Sequence, residues 1–82
     1  MLSKIDPNSR FVGFKQSKRA IENGDASCAY IAEDCEPQMR QYLETLCRNH
    51  NVKIEYLPTM KQLGTECGIE VDAAVAVIRQ SH

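Results

Sequence analysis

Apolar and polar positions alternate along this chain in short segments, each of which matches one kind of element. Phe11-Val12 supplies strand preference just before Gly13, which opens the next element. From Phe14 to Asn23 the spacing is helical: Phe14, Ser17, Ile21 and Gly24 share one face, while Lys15, Lys18, Arg19 and Glu22 share another. Gly24 is placed to stop that helix. Ser27 to Ala32 is a nearly continuous apolar run of strand length, as expected where both faces of a sheet are covered. Glu33-Asp34-Cys35-Glu36-Pro37 then starts a second helix, with Asp34 as its expected cap and Pro37 in its first turn. Met39, Tyr42, Leu43, Leu46 and Cys47 form the apolar stripe of that helix, which Asn49-His50-Asn51 ends.

Val52, Ile54 and Tyr56 alternate with Lys53 and Glu55, the signature of a half-buried strand. Thr59-Met60-Lys61-Gln62 fits a capping box, so a short helix runs from Met60 to about Cys67 and terminates at Gly68. Val75 to Ile78 is a last, aliphatic strand. The first ten residues are weakly patterned, with a turn cluster or short helix start at Asp6-Pro7-Asn8-Ser9. Alternating strands and helices predict an α/β fold in which parallel crossovers put helices on both faces of the sheet. The most distinctive stretch is Leu63 to Ala74, where a helix end gives way at Gly68 to a connection that displays Ile69 and Val71 around Glu70. An apolar connection is explained by a core contact, a protein partner or a nucleobase laid against it.

Composition bounds what such a chain can do. Its 82 residues make one domain with one core and little room for an elaborate active site. A hydrophobic share of 43% is too high for disorder and is ordinary for a globular domain. No apolar run approaches the roughly 20 residues that span a bilayer, and Met1 to Arg10 lacks the apolar core of a signal peptide, so a cytoplasmic protein with no membrane partner is expected. Cys28, Cys35, Cys47 and Cys67 show no Cys-x-x-Cys spacing and are expected to be reduced, with Cys28 and Cys47 acting as small buried hydrophobes. Cys47 and His50 sit one helical turn apart, but no second pair is spaced to complete a metal site. No cofactor motif, catalytic triad spacing or phosphate-binding glycine loop is present, so no enzyme is expected.

The net charge of −1 conceals an asymmetry. Residues 1–21 carry five basic side chains against Asp6 alone, whereas residues 22–82 carry five basic against ten acidic ones. A local basic cluster is an electrostatic footprint for phosphate, or else a solvated charged face. Lys15 and Lys18 lie at the start of their helix, where the helix dipole disfavours them by roughly 0.3–1 kcal/mol. A helix start with free backbone N–H groups and added lysines is an anion site.

Three segments occur in one order: Gly13-Phe14-Lys15-Gln16-Ser17-Lys18-Arg19-Ala20, Ala32-Glu33-Asp34-Cys35-Glu36-Pro37, and Leu63 through Ala74. Together they resemble the kink-turn-binding ribosomal proteins of the L-seven-Ae and L-thirty-e type, and look closest to the small bacterial ribosomal-protein-like members. The resemblance covers nearly the whole chain from Phe11 to Ile78. It implies a three-layer α/β/α sandwich around a small, mixed, mostly parallel sheet of about four strands. It also implies a monomer that binds structured RNA at a sharp bend flanked by sheared G·A pairs, in ribosomal or regulatory RNA.

By that resemblance the helix start at Gly13 and Phe14 presents Lys15 and Gln16 to the G·A pairs. Lys18 and Arg19 would neutralise phosphates, Lys61 would reach the backbone, and Ile69-Glu70-Val71 would cover bases turned out at the bend. The sequence departs from the archaeal pattern, in which asparagine and glutamate stand at the positions of Lys15 and Gln16 and threonine at that of Phe14. Asp72 adds an acid beside the loop. The alternative is a protein-interaction module of the same fold that has lost RNA binding, which the acidity beyond residue 21 and Asp72 favour.

Overall fold

Local chemistry sets each boundary in the computed structural model, which describes residues 10–79. The described elements are β1 (Arg10–Val12), α1 (Phe14–Glu22), β2 (Ala26–Ala32), α2 (Pro37–Asn49), β3 (Lys53–Leu57), α3 (Met60–Glu66) and β4 (Val75–Arg79). The turn or helix start expected at Asp6-Pro7-Asn8-Ser9 lies outside the described residues. Helix α1 follows Gly13, whose φ of 104° suits glycine, and runs out at Asn23 before Gly24 at φ 77°. Helix α3 is capped as its sequence predicts, with Thr59 Oγ1 accepting from the Gln62 N–H at 3.0 Å.

One cap differs from expectation. With Pro37 in the first turn of α2, the cap position falls to Glu36, and Asp34 is too early to serve. Asp34 Oδ1 instead accepts from the Met60 N–H at 2.8 Å, at the start of α3. The turn after β2 is thereby fastened to the third helix.

The sheet is four-stranded and mixed, in the order β1-β4-β2-β3. It is not mostly parallel: β2 and β3 are parallel, but β4 runs antiparallel to both β2 and β1. A parallel return requires a connection that carries the chain back to the opposite end of the sheet. The 13-residue α2 provides one between β2 and β3. The 7-residue α3 spans only about 10 Å at 1.5 Å per residue, and the chain then doubles back along it.

The doubling back is visible bond by bond. Gly68 turns the chain at φ 75°, the Ile69 N–H donates to the Gly64 carbonyl at 3.1 Å, and the Ala73 N–H donates to the Met60 carbonyl at 3.0 Å. Between these bonds the Val71 carbonyl lies so close to Gly64 that a Cβ there would stand 2.1 Å from its oxygen. The chain re-emerges beside the start of α3, so β4 begins at the end of the sheet where β2 and β3 finish, with Val75 opposite Ile31.

The layers follow from strand alternation. Val75 and Val77 point to one face and Ala76 and Ile78 to the other. Ala29 and Val77 pack with Ala20 and Ile21 of α1 and Cys47 of α2, while Ala76 packs with Leu63 and Cys67 of the α3 side, in a second cluster that also takes in Val75 and Leu43 of α2. The result is the expected α/β/α sandwich, with Ser17 fully buried on the inner face of α1.

The four cysteines are free. Cys35, Cys47 and Cys67 are buried, and burial pushes their thiols up, that of Cys47 to about 11. They are protonated hydrophobes. Cys28, opposite Lys53 and Ile78, is only half-buried, less than its apolar run suggests.

Candidate nucleic-acid interface

The beginning of α1 is fixed by its backbone. The Gly13 N–H donates to the Val75 carbonyl at 3.0 Å, and the Gly13 carbonyl accepts from the Ser17 N–H at 3.0 Å. Gly13 offers no side-chain cap and the first turn contains no acid. The N–H groups of that turn therefore have no intrahelical acceptor and keep their partial positive charge. Since Val75 is the first residue of β4, the bond also sets the start of α1 at the end of the sheet where the Gly68–Ala73 connection exits.

Along the outer side of α1 lies a groove of ≈ 340 Å³ lined by Phe11, Lys15, Gln16, Arg19, Ala20, Asn23 and Asp25. Three of the expected RNA-binding side chains, Lys15, Gln16 and Arg19, thus share one concave surface, and all three are exposed. Phe11, Ala20, Asn23 and Asp25 were not expected there. Asn23 was legible, because Lys15, Arg19 and Asn23 recur at four-residue spacing on one stripe. Asp25 follows the helix and carried no such signal.

The structure separates Lys18 from this group. Its Nζ is 3.3 Å from Glu22 Oε2, one turn further along α1. An exposed pair of this kind contributes little to stability. Phe14 also has a different role from a surface contact: its half-buried ring stands 5.8 Å from the ring of Tyr42, and it packs against the core that contains Leu63, Ala73 and Val75. Tyr42, at the edge of the α2 stripe, remains 42% exposed.

The second expected surface is the connection itself. Ile69 is half-buried and packs on the core, whereas Glu70 is exposed and Val71 is 68% exposed. The display of Val71 follows from Gly64, since it is the Val71 carbonyl that is pressed against the helix. Lys61 is exposed on the first turn of α3, next to Met60, whose carbonyl receives the Ala73 N–H. It shares the end of the sheet with the exit of the connection.

Comparison with known proteins gives this geometry its context. The model of the ribosomal protein L7Ae/L30e/S12e/Gadd45 family matches residues 5–82. The chain belongs to that family. Among its relatives, a protein of Caldanaerobacter subterraneus named as RNA-binding is 41% identical over 70 residues, which are 85% of each chain. A protein of Halalkalibacterium halodurans, also named as RNA-binding, is 33% identical over 84% of each chain.

Two solved structures share the fold of the L7Ae/L30e/S12e/Gadd45 family seen here. A 15.5-kilodalton RNA-binding protein of Giardia lamblia superposes with a TM-score of 0.82 at 23% identity. The match covers 90% of this chain but 62% of that one, so the present chain spans less than two thirds of its length. A Bacillus halodurans protein of unknown function superposes with the same TM-score at 16% identity, over 90% of this chain and 74% of its own. At such identities the likeness is one of fold.

Proposed function

We propose that this protein binds RNA, and that its target is a kink-turn: a bent helix with sheared G·A pairs and bases turned out at the bend, in ribosomal or regulatory RNA. The observation that carries this reading is the groove shared by Lys15, Gln16 and Arg19 beside the uncapped first turn of α1. Relatives named as RNA-binding support the polymer, and the geometry supports the shape. An A-form major groove is too narrow to admit side chains, so a helix start that addresses major-groove base edges of paired RNA does so where a bend opens the groove.

The chemistry divides between the two surfaces. Gln16 offers both donor and acceptor, Lys15 a donor for guanine acceptors, and Arg19 a cation for phosphate. Val71 and the exposed part of Ile69 offer an apolar surface to an unstacked base. Asp25 in the groove and Glu70 and Asp72 around the connection oppose indiscriminate attraction of phosphate, which a net charge of −1 would not supply either. Binding must therefore come from fit.

Gln16→Ala tests the base-reading half. It should weaken binding to bent RNA by about 1–3 kcal/mol in a calorimetric titration while leaving the unfolding midpoint unchanged, since Gln16 is exposed on a helix. Equal affinities of variant and parent would remove Gln16 from the interface.

A further inference from the structure

Arg10 opens the short strand β1 and belongs to the basic N-terminal cluster that, as charge alone, would be assigned to RNA. The structure uses it differently. Its guanidinium donates to the Cys67 carbonyl, which is the cap residue at the C-terminal end of α3. Two strands of the sheet neighbour each other here, with Arg10 opposite Ile78 of β4, so the side chain reaches from the edge of the sheet to the helix that covers it. The thiol of Cys67 responds to both surroundings: burial pushes it up while the nearby Arg10 cation pulls it down.

A cation at this point meets the negative end of the helix dipole and satisfies one of the carbonyls that a helix terminus leaves unpaired. The path of the chain beyond Cys67 makes this hydrogen bond consequential. Gly68 turns the backbone, and Ile69 to Asp72 return along α3 under the Val71–Gly64 contact and the Ile69 and Ala73 hydrogen bonds. The connection is held to α3 from Gly64 onward, and α3 itself is held at its far end by Arg10.

We propose that Arg10 is a positioning residue for the RNA-facing connection: it touches no RNA and acts by fixing the α3 end from which Ile69, Glu70 and Val71 are displayed. The inference rests on the RNA-binding reading for its consequence, but its physical content is independent of that reading. Arg10→Met removes the charge and the donors while keeping the apolar stem, and Arg10→Lys keeps a cation able to reach a carbonyl.

The test has two arms. In the free protein, amide hydrogen exchange should speed up in Arg10→Met at Ile69 and Ala73 while the central β2 amides are unchanged, and Arg10→Lys should restore part of the protection. In titrations of a kink-turn RNA, Arg10→Met should bind roughly tenfold more weakly. Combined with Val71→Ala it should lose no more than the worse single variant, because both act on one surface. The slope of log affinity against log salt should match that of the parent, since removal of one phosphate-binding cation would reduce it by about one.

Unchanged exchange at Ile69 and Ala73 would overturn the proposal. So would additive losses with a reduced salt slope, which would make Arg10 a direct phosphate contact. Faster exchange in a protein whose parent fails to bind the RNA would leave the clamp standing and sink the RNA reading instead.

Discussion

The start of α1 and the connection between α3 and β4 lie at one end of the same sheet, yet they are built on opposite principles. The α1 start is left open: Gly13 provides no side-chain cap, no acid faces the first turn, and Lys15, Gln16 and Arg19 line a shallow groove. The connection is closed: Gly64, Met60 and the turn at Gly68 hold its backbone at three places, while the side chains of Glu70, Val71 and Asp72 face outward. An open helix start adapts through long side chains. A fastened connection presents a fixed shape, and mutation should damage the two in different ways.

Gly64→Ala should break the contrast most severely. Its Cβ would stand 2.1 Å from a backbone oxygen, so the connection must move away from α3. Although alanine is the better helix former by about 1 kcal/mol, the overpacking should leave the variant less stable by roughly 1–3 kcal/mol in denaturant unfolding. An unchanged midpoint would mean that the connection is not held against the helix. Val71→Asp sharpens the contrast from the other side. With Val71 68% exposed, stability should change by no more than about 0.5 kcal/mol, while affinity for bent RNA falls. Unfolding of that variant would make the residue part of the core. Lys18→Ala should have the smallest effect, about 0.3–0.5 kcal/mol in stability from the exposed pair with Glu22. A large loss of RNA affinity in Lys18→Ala would make Lys18 a phosphate contact despite its pairing with Glu22.

The elements were legible in the sequence because each carries its own signal: the 3.6-residue stripes of α1 and α2, the alternation around Ile54 in β3, which fails at Tyr56, exposed to 45% on this edge strand, the Thr59 cap and the glycines after α1 and α3. Strand direction was not. Nothing in Val75–Ile78 marks it as antiparallel; that follows from Gly64 letting the connection return along a short helix, a contact between backbone atoms that no side-chain pattern records. The same limit applies to Asp34, whose capping chemistry was recognisable while its helix was not, since its partner Met60 is 26 residues away. In the candidate interface, charge singled out Lys15 and Arg19 and the family resemblance added Gln16; the structure lines one groove with all three. Charge alone did not show that Lys18 pairs with Glu22 or that Arg10 donates to the Cys67 carbonyl at the end of α3.

The proposed function requires the groove on α1 and the display of Val71 to recognise one bent RNA shape. It is tested most directly by titrating the protein, at one fixed salt concentration, with a kink-turn RNA and with the same RNA whose sheared G·A pairs are replaced by Watson–Crick pairs. The kink-turn should be preferred by about 1–3 kcal/mol for each G·A pair removed. Equal affinities for the two RNAs would contradict it.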